Sequence, residues 1–355
     1  MTPARRQRLL RRAWPIIRFV GGIALGALAL WAVTGQRGEL SGASHYLAHL
    51  QWNWLIVASA MELGSFVAFA LVQRYLLGAG DVDVSVGRLT AVTLAATAIA
   101  NSMPAGPLVS SVFAYRQYRR RGADGALAGW ALGAVFVCAA VTLALVAAAG
   151  VAIAGAEGAG LDLIGVTVGV LVLALVLGFL FVQRRAVLWF VNGAVRFSRR
   201  VFGRPRDPME ARIAAVEARL TRVSLTARQL SVVTGWGAAN WVLDCACLAL
   251  CFVTLHVGVP WKGLLLAYGA GQLAANLPIT PGGLGVVEGS LTIALVAFGG
   301  AKTSTVAVVL LYRILSFWIE LPVGWVACGV IAWTDRRRRP GAAALTLAPV
   351  EEVLR

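Results

Sequence analysis

The chain has 355 residues, of which 59% are hydrophobic and 14% charged, and its mean hydropathy is +0.77. Soluble domains carry about 25% charged residues, so the composition excludes a soluble globular protein and fits a polytopic helical membrane protein. The net charge of +16 would suggest nucleic acid in a soluble chain, but here the basic residues fall between apolar runs, and no nucleic-acid partner is expected.

Residues 1–12 form a basic tail with Arg5, Arg6, Arg8, Arg11 and Arg12. An apolar run follows from about Trp14 to Val33. It is long for a signal peptide and no small-x-small site ends it, so a retained first span is expected. Residues 35–52 are a polar connection holding Glu39, His45 and His49. The histidines lack a third ligand, and an interfacial turn is expected rather than a metal site. Trp52 and Trp54 suit a headgroup belt. A second span, about 53–73, contains Glu62.

The next stretch cannot be a simple span. An apolar arm at 89–103 meets Asn101-Ser-Met-Pro104-Ala-Gly106-Pro107, and an arm of about nine residues then reaches Tyr115. Nine helical residues rise only about 14 Å, well short of a ~30 Å core. A re-entrant hairpin is expected, closed by Arg116, Arg119, Arg120 and Arg121. Full spans follow at about 126–150 and 161–182. The polar stretch 184–228 includes Asp207-Pro208-Met209-Glu210, a helix start that opens an amphipathic surface helix to about Arg222.

A fifth span covers about 230–257, and a second hairpin enters at about Leu264 and leaves at Gly299–Gly300. Its break is Asn276-Leu-Pro278-Ile-Thr-Pro281-Gly282-Gly283-Leu-Gly285, with Glu288 close behind. Prolines remove backbone donors, and each glycine costs a helix about 1 kcal/mol. In lipid such a break is tolerated only where protein or a water-filled cavity surrounds it. The last run, about 304–333, holds Arg313, Glu320 and Pro322, where a kink or tilt is expected. Residues 336–355 form a polar tail.

The expected architecture is all-α, with six full spans and two re-entrant broken-helix hairpins in a single domain over 13–335. Placing the N-terminus inside puts 27 basic residues on the cytoplasmic side and 3 outside, so both termini are expected in the cytoplasm of a cell-membrane protein. An offset of 177 maps Pro104 and Gly106 onto Pro281 and Gly283. Three crossings separate the start of repeat one (about 53–150) from that of repeat two (about 230–333), so the repeats are expected to be inverted, with a substrate site near the midplane.

A charge at bilayer depth costs about 2.5–3.5 kcal/mol and needs a partner or a task. Those charges are Glu62, Asp244, Glu288, Arg313 and Glu320, with Arg116 at a hairpin exit. Under one reading they pair to hold the bundle, Arg313 with Glu320 or with Glu288. Under the other, Arg313 and Glu288 line a cavity at the tips, where Arg313 and the backbone of Gly282 and Gly283 hold a phosphate. Glu288 then faces an amine or takes up a coupling proton. The substrate-contact candidates are therefore Asn101, Pro104, Gly106, Asn276, Pro278, Pro281, Gly282, Gly283, Glu288 and Arg313. Glu62, Arg116, Asp244 and Glu320 are secondary. The five cysteines lie inside expected spans and suit apolar packing. No Walker loop, dinucleotide fingerprint or zinc motif is visible, so neither cofactor nor enzymatic activity is expected.

The second break, followed by Leu310-Leu311-Tyr312-Arg313, resembles the signature of the lysylphosphatidylglycerol synthase transmembrane family, also called the flippase-like domain family. Asn101-x-x-Pro104-x-Gly106 resembles its first motif. The resemblance covers about residues 15–335. It implies movement of phospholipids or polyprenyl-phosphate-linked sugars between leaflets. Some members carry a fused aminoacyltransferase; none is expected in these residues, and synthesis of a lysyl-lipid is not expected. Members commonly carry a Glu-Arg pair after the first hairpin, whereas Trp130 to Val137 is apolar. The leading expectation is a lipid translocator with membrane lipids as partners. The alternatives are a scaffold subunit for a lipid-modifying enzyme or glycosyltransferase, and a membrane-embedded transferase using Glu288 as base.

Overall fold

A computed structural model describes residues 50–103, 106–155, 225–275 and 281–337. Eight helices make up the described residues, and no strand occurs among them. They are α1 (Trp52–Gly78), α2 (Val86–Ser102), α3 (Gly106–Arg120), α4 (Gly125–Gly155), α5 (Ala227–Thr254), α6 (Trp261–Ala275), α7 (Val286–Ala297) and α8 (Lys302–Arg337). The expected spans at 14–33 and 161–182 and the surface helix after Asp207 lie outside the described residues.

Four helices, α1, α4, α5 and α8, are long and apolar enough to cross a bilayer. Their bounds follow from hydropathy, with one addition: Thr226-x-x-Gln229 forms a reciprocal capping box that starts α5. The other four are short. α2, α3, α6 and α7 have 17, 15, 15 and 12 residues, so each rises about 18–26 Å, less than a ~30 Å core. α3 is longer than the nine-residue arm expected, because the helix continues past Tyr115 through the arginines to Arg120. Arginine is a good helix former, and the buried Tyr118 anchors that extra turn.

The two halves pack reciprocally. α1 lies along α5; α2 lies along the C-terminal part of α8, and α6 lies along α4. In both cross-pairs a glycine allows close approach. A Cβ on Gly324 would stand 2.3 Å from the carbonyl oxygen of Leu94, and one on Gly150 would stand 2.7 Å from the amide nitrogen of Leu266. Small residues at such crossings let transmembrane backbones pack closely. Apolar side chains such as Phe136, Ile293 and Val326 face outward, which suits a lipid surround.

α8 is interrupted where Pro322 requires it. The proline has no N–H and its ring crowds the carbonyl four residues back. The helix answers with a π turn over Ile314–Trp318, in which the Ile319 amide donates to the Ile314 carbonyl at 2.9 Å. The interruption expected at Pro322 thus lies one turn earlier, between Arg313 and Glu320.

Candidate polar site at the second hairpin

The site is built on a tip that only glycine can form. Gly282, Gly283 and Gly285 have φ of +62°, +67° and +80°, in the left-handed region that costs other residues about 1–2 kcal/mol. A short 3₁₀ turn at Pro281–Gly283 leads through Gly285 into α7. Glu288 sits in the first turn of α7, where a carboxylate suits the helix dipole. Its Oε2 accepts from the Gly285 amide at 2.7 Å.

Arg313 closes the tip from α8. Its Nε donates to Glu288 Oε1 at 2.7 Å, and Nη2 donates to the Gly282 carbonyl at 3.0 Å. The guanidinium carbon lies 4.4 Å from the centre of the Phe317 ring, within cation–π range. The same ring covers the glycine: a Cβ on Gly282 would stand 2.2 Å from it. Arg313 is 6% exposed. Of the two pairings the sequence allows for Arg313, the structure shows the one with Glu288.

Beside the pair lies a second polar node. Asp244, on α5, accepts from the Tyr268 hydroxyl at 2.7 Å and the Gln272 amide at 3.0 Å, both on α6. It also accepts from the Tyr312 hydroxyl on α8 at 2.7 Å. Glu62 on α1 and Glu320 on α8 are each 7% exposed. Glu320 and Asp244 are the charged neighbours of the Glu62 carboxyl, and Cys247 lies beside it. Hydrogen bonds to Asp244 thus join α5, α6 and α8, with Glu62 of α1 and the Arg313–Glu288 pair as neighbours.

The other candidates fall into three places. Gly106 closes the first hairpin: its amide donates to the Met103 carbonyl at 2.9 Å, and a Cβ there would overlap the Ala100 carbonyl. Asn101, half-buried, ends α2 beside it, and α2 also packs on the Pro281–Gly283 turn, so the two hairpins touch. Pro104, Asn276 and Pro278 lie outside the described residues. Arg116 is exposed on α3.

Two participants were not singled out from the sequence, Tyr268 and Gln272, and Tyr312 was noted only as part of the second motif, with no role. Tyr268 and Gln272 are four apart on one helix face, and that spacing is the available signal. A smaller buried relay in the first half was likewise not singled out. There the Tyr118 hydroxyl donates to Gln73 Oε1 at 2.7 Å, and Gln73 Nε2 donates to Thr93 Oγ1 at 2.7 Å.

Residues 19–324 match the family described as lysylphosphatidylglycerol synthase TM region. Two proteins of Methanothermobacter thermautotrophicus, each described as UPF0104 membrane protein, are similar over shorter stretches. One is 33% identical over 87 residues and the other 28% over 85, each covering 24% of this chain and 25% of the relative. The matched segment thus spans about a quarter of the length of these relatives.

Proposed function

The chain belongs to the lysylphosphatidylglycerol synthase TM region family, and on that premise we propose that it moves an anionic-headgroup lipid between leaflets. The lipid class is a phospholipid or a polyprenyl-phosphate-linked lipid. The observation that carries this reading is the Arg313–Glu288 pair, which holds a broken helix tip inside an apolar bundle. A buried ion pair costs desolvation and is poor glue by itself. A transporter has a use for it, because broken helices present backbone dipoles and charges to a polar headgroup at membrane depth.

Two further features support the reading. The reciprocal packing of α2 on α8 and of α6 on α4 suits an inverted repeat, in which each half supplies one long–short–short–long set. The basic residues divide 27 to 3 across the expected loops, which favours cytoplasmic termini in a cell membrane. Alternating access is then a rocking of the hairpins around the tip.

The test is leaflet exchange in liposomes holding the purified protein, with labelled phosphatidylglycerol, its aminoacyl form and a polyprenyl phosphate. Exchange of one class, lost in Glu288→Gln, is the expected result. Absence of exchange with all three, together with stable co-purification of a lipid-modifying enzyme, would replace the translocator with a scaffold subunit.

A further inference from the structure

The carboxyls around Glu62 outnumber the cations that face them. Glu62, Asp244, Glu288 and Glu320 meet one guanidinium, that of Arg313, among the described residues. Arg313 is already matched by Glu288 at 2.7 Å. The other charges on the surrounding helices lie near their ends: Arg74, Arg228, Lys262, Lys302, Arg336 and Arg337 are exposed, and Asp335 pairs with Arg120 and Arg121. α4 has no charged residue, and the sole charge on α2, Arg88, hydrogen-bonds Thr334 at 3.0 Å. α6 brings Tyr268 and Gln272, α8 brings Tyr312, and α5 brings Cys247.

The donors are unequally shared. Asp244 accepts from Tyr268, Tyr312 and Gln272, a full set for a carboxylate. Glu62 Oε2 is buried and receives no N–H or hydroxyl donor among the described residues. The neighbouring charged group on α8 is Glu320, itself 7% exposed. A carboxylate only accepts, and two buried neighbouring carboxyls cannot both stay ionised without a cation, so a proton on one of them relieves the repulsion and supplies the missing donor. No group of three or more His, Cys, Asp or Glu placed to hold a metal ion occurs among the described residues.

We infer that Glu62 and Glu320 form a proton-binding site, with Asp244 as its fixed carboxylate, and that proton binding there is coupled to movement of the second hairpin. The connection is short. Glu320 follows the π turn directly, and Arg313, which holds the hairpin tip, precedes it. π turns are local departures from the helical ladder and frequently mark functional positions. With the proton present, Glu62 on α1 binds Glu320 and α8 stays seated. With it gone, two carboxylates repel across a buried contact, and α8 shifts at the joint that carries Arg313. The coupling half of this inference rests on the lipid-translocation reading; the proton site does not.

Two measurements test the halves separately. In the first, infrared spectra are taken of the protein in lipid nanodiscs at neutral pH, with sodium and again with choline as the salt cation. Wild type is expected to show a protonated-carboxyl C=O band, indifferent to the cation, that shrinks in Glu62→Gln and in Glu320→Gln. A band unchanged by both substitutions, or absent from wild type, would overturn the proton site. The isosteric glutamine is chosen to preserve the fold, and each variant is first checked by circular dichroism and size-exclusion chromatography. In the second, leaflet exchange is followed in liposomes under an imposed pH gradient. Wild-type exchange is expected to follow the gradient, and that response is expected to be lost in both variants. Exchange that ignores the gradient in wild type would overturn the coupling. If wild type exchanges no lipid at all, it is the translocation reading that falls, and the infrared result still decides the proton site.

Discussion

Arg313 donates to the carbonyl of Gly282 at 3.0 Å, so a side chain of α8 holds the backbone of the broken hairpin. The same guanidinium binds Glu288, which in turn caps the Gly285 amide. One ion pair therefore fixes both the turn at the tip and the start of α7, and the chemistry and architecture of the tip depend on the same atoms.

Gly282→Ala tests how tightly the tip is specified. The left-handed backbone alone costs about 1–2 kcal/mol, and the overlap with Phe317, at 2.2 Å, adds about 1–3 kcal/mol. Gly285→Ala suffers the strain but meets nothing within 4 Å. Thermal unfolding in detergent is expected to rank wild type above Gly285→Ala and Gly285→Ala above Gly282→Ala. Phe317→Leu should recover part of the Gly282→Ala loss.

Removing both sides of the ion pair should cost less than the two single breaks added together. Arg313→Gln strands Glu288, and Glu288→Gln strands Arg313, each by about 3–5 kcal/mol for a buried pair. Glu288 is 22% exposed at the side chain, which places the cost toward the lower figure. The double variant is expected to be more stable than the sum of the single losses implies. A double-mutant cycle on unfolding free energies with no coupling would mean that the two side chains act independently.

Tyr268→Phe and Tyr312→Phe each remove one hydroxyl donor from Asp244. Interhelical hydrogen bonds in membranes are worth about 1 kcal/mol, so each single change should lower stability by that order. The double change leaves Gln272 as the remaining donor of the three and should cost more than twice as much. Unfolding of the three variants side by side checks this, and equal losses for single and double variants would contradict the shared node.

The glycine crossings should tolerate no side chain. At Gly324 a Cβ meets backbone, the Leu94 carbonyl oxygen at 2.3 Å, so relief requires α8 and α2 to separate. Gly324→Val is expected to destabilise by about 2 kcal/mol or more. Gly329→Ala, with nothing within 4 Å, is expected to be neutral or slightly stabilising. The comparison is read from melting temperatures.

The sequence by itself determined the four long apolar helices among the described residues and the breaks between the short ones. Hydropathy is local and additive along the chain, so the described spans begin and end close to where the apolar runs do. Prolines and glycines act on their own backbone, so both hairpin tips and the interruption near Pro322 are visible without any neighbour. The polar residues at depth were visible too, because a charge in an apolar run stands out wherever it points. Their partners were not. Arg313 stands seven residues from Glu320 and 25 from Glu288, and nothing local chooses between them. The π turn separates the near pair, while the return of the hairpin brings the far one to 2.7 Å. Tyr268 and Gln272 passed unnoticed, and Tyr312 was noted without a role, because a hydroxyl or amide in a membrane helix gains its role only from what it faces. Glu62, Asp244 and Glu320 come together from three helices far apart in the chain. Only tertiary packing decided that they share one site, because contact between helix faces depends on crossing geometry that no single segment encodes.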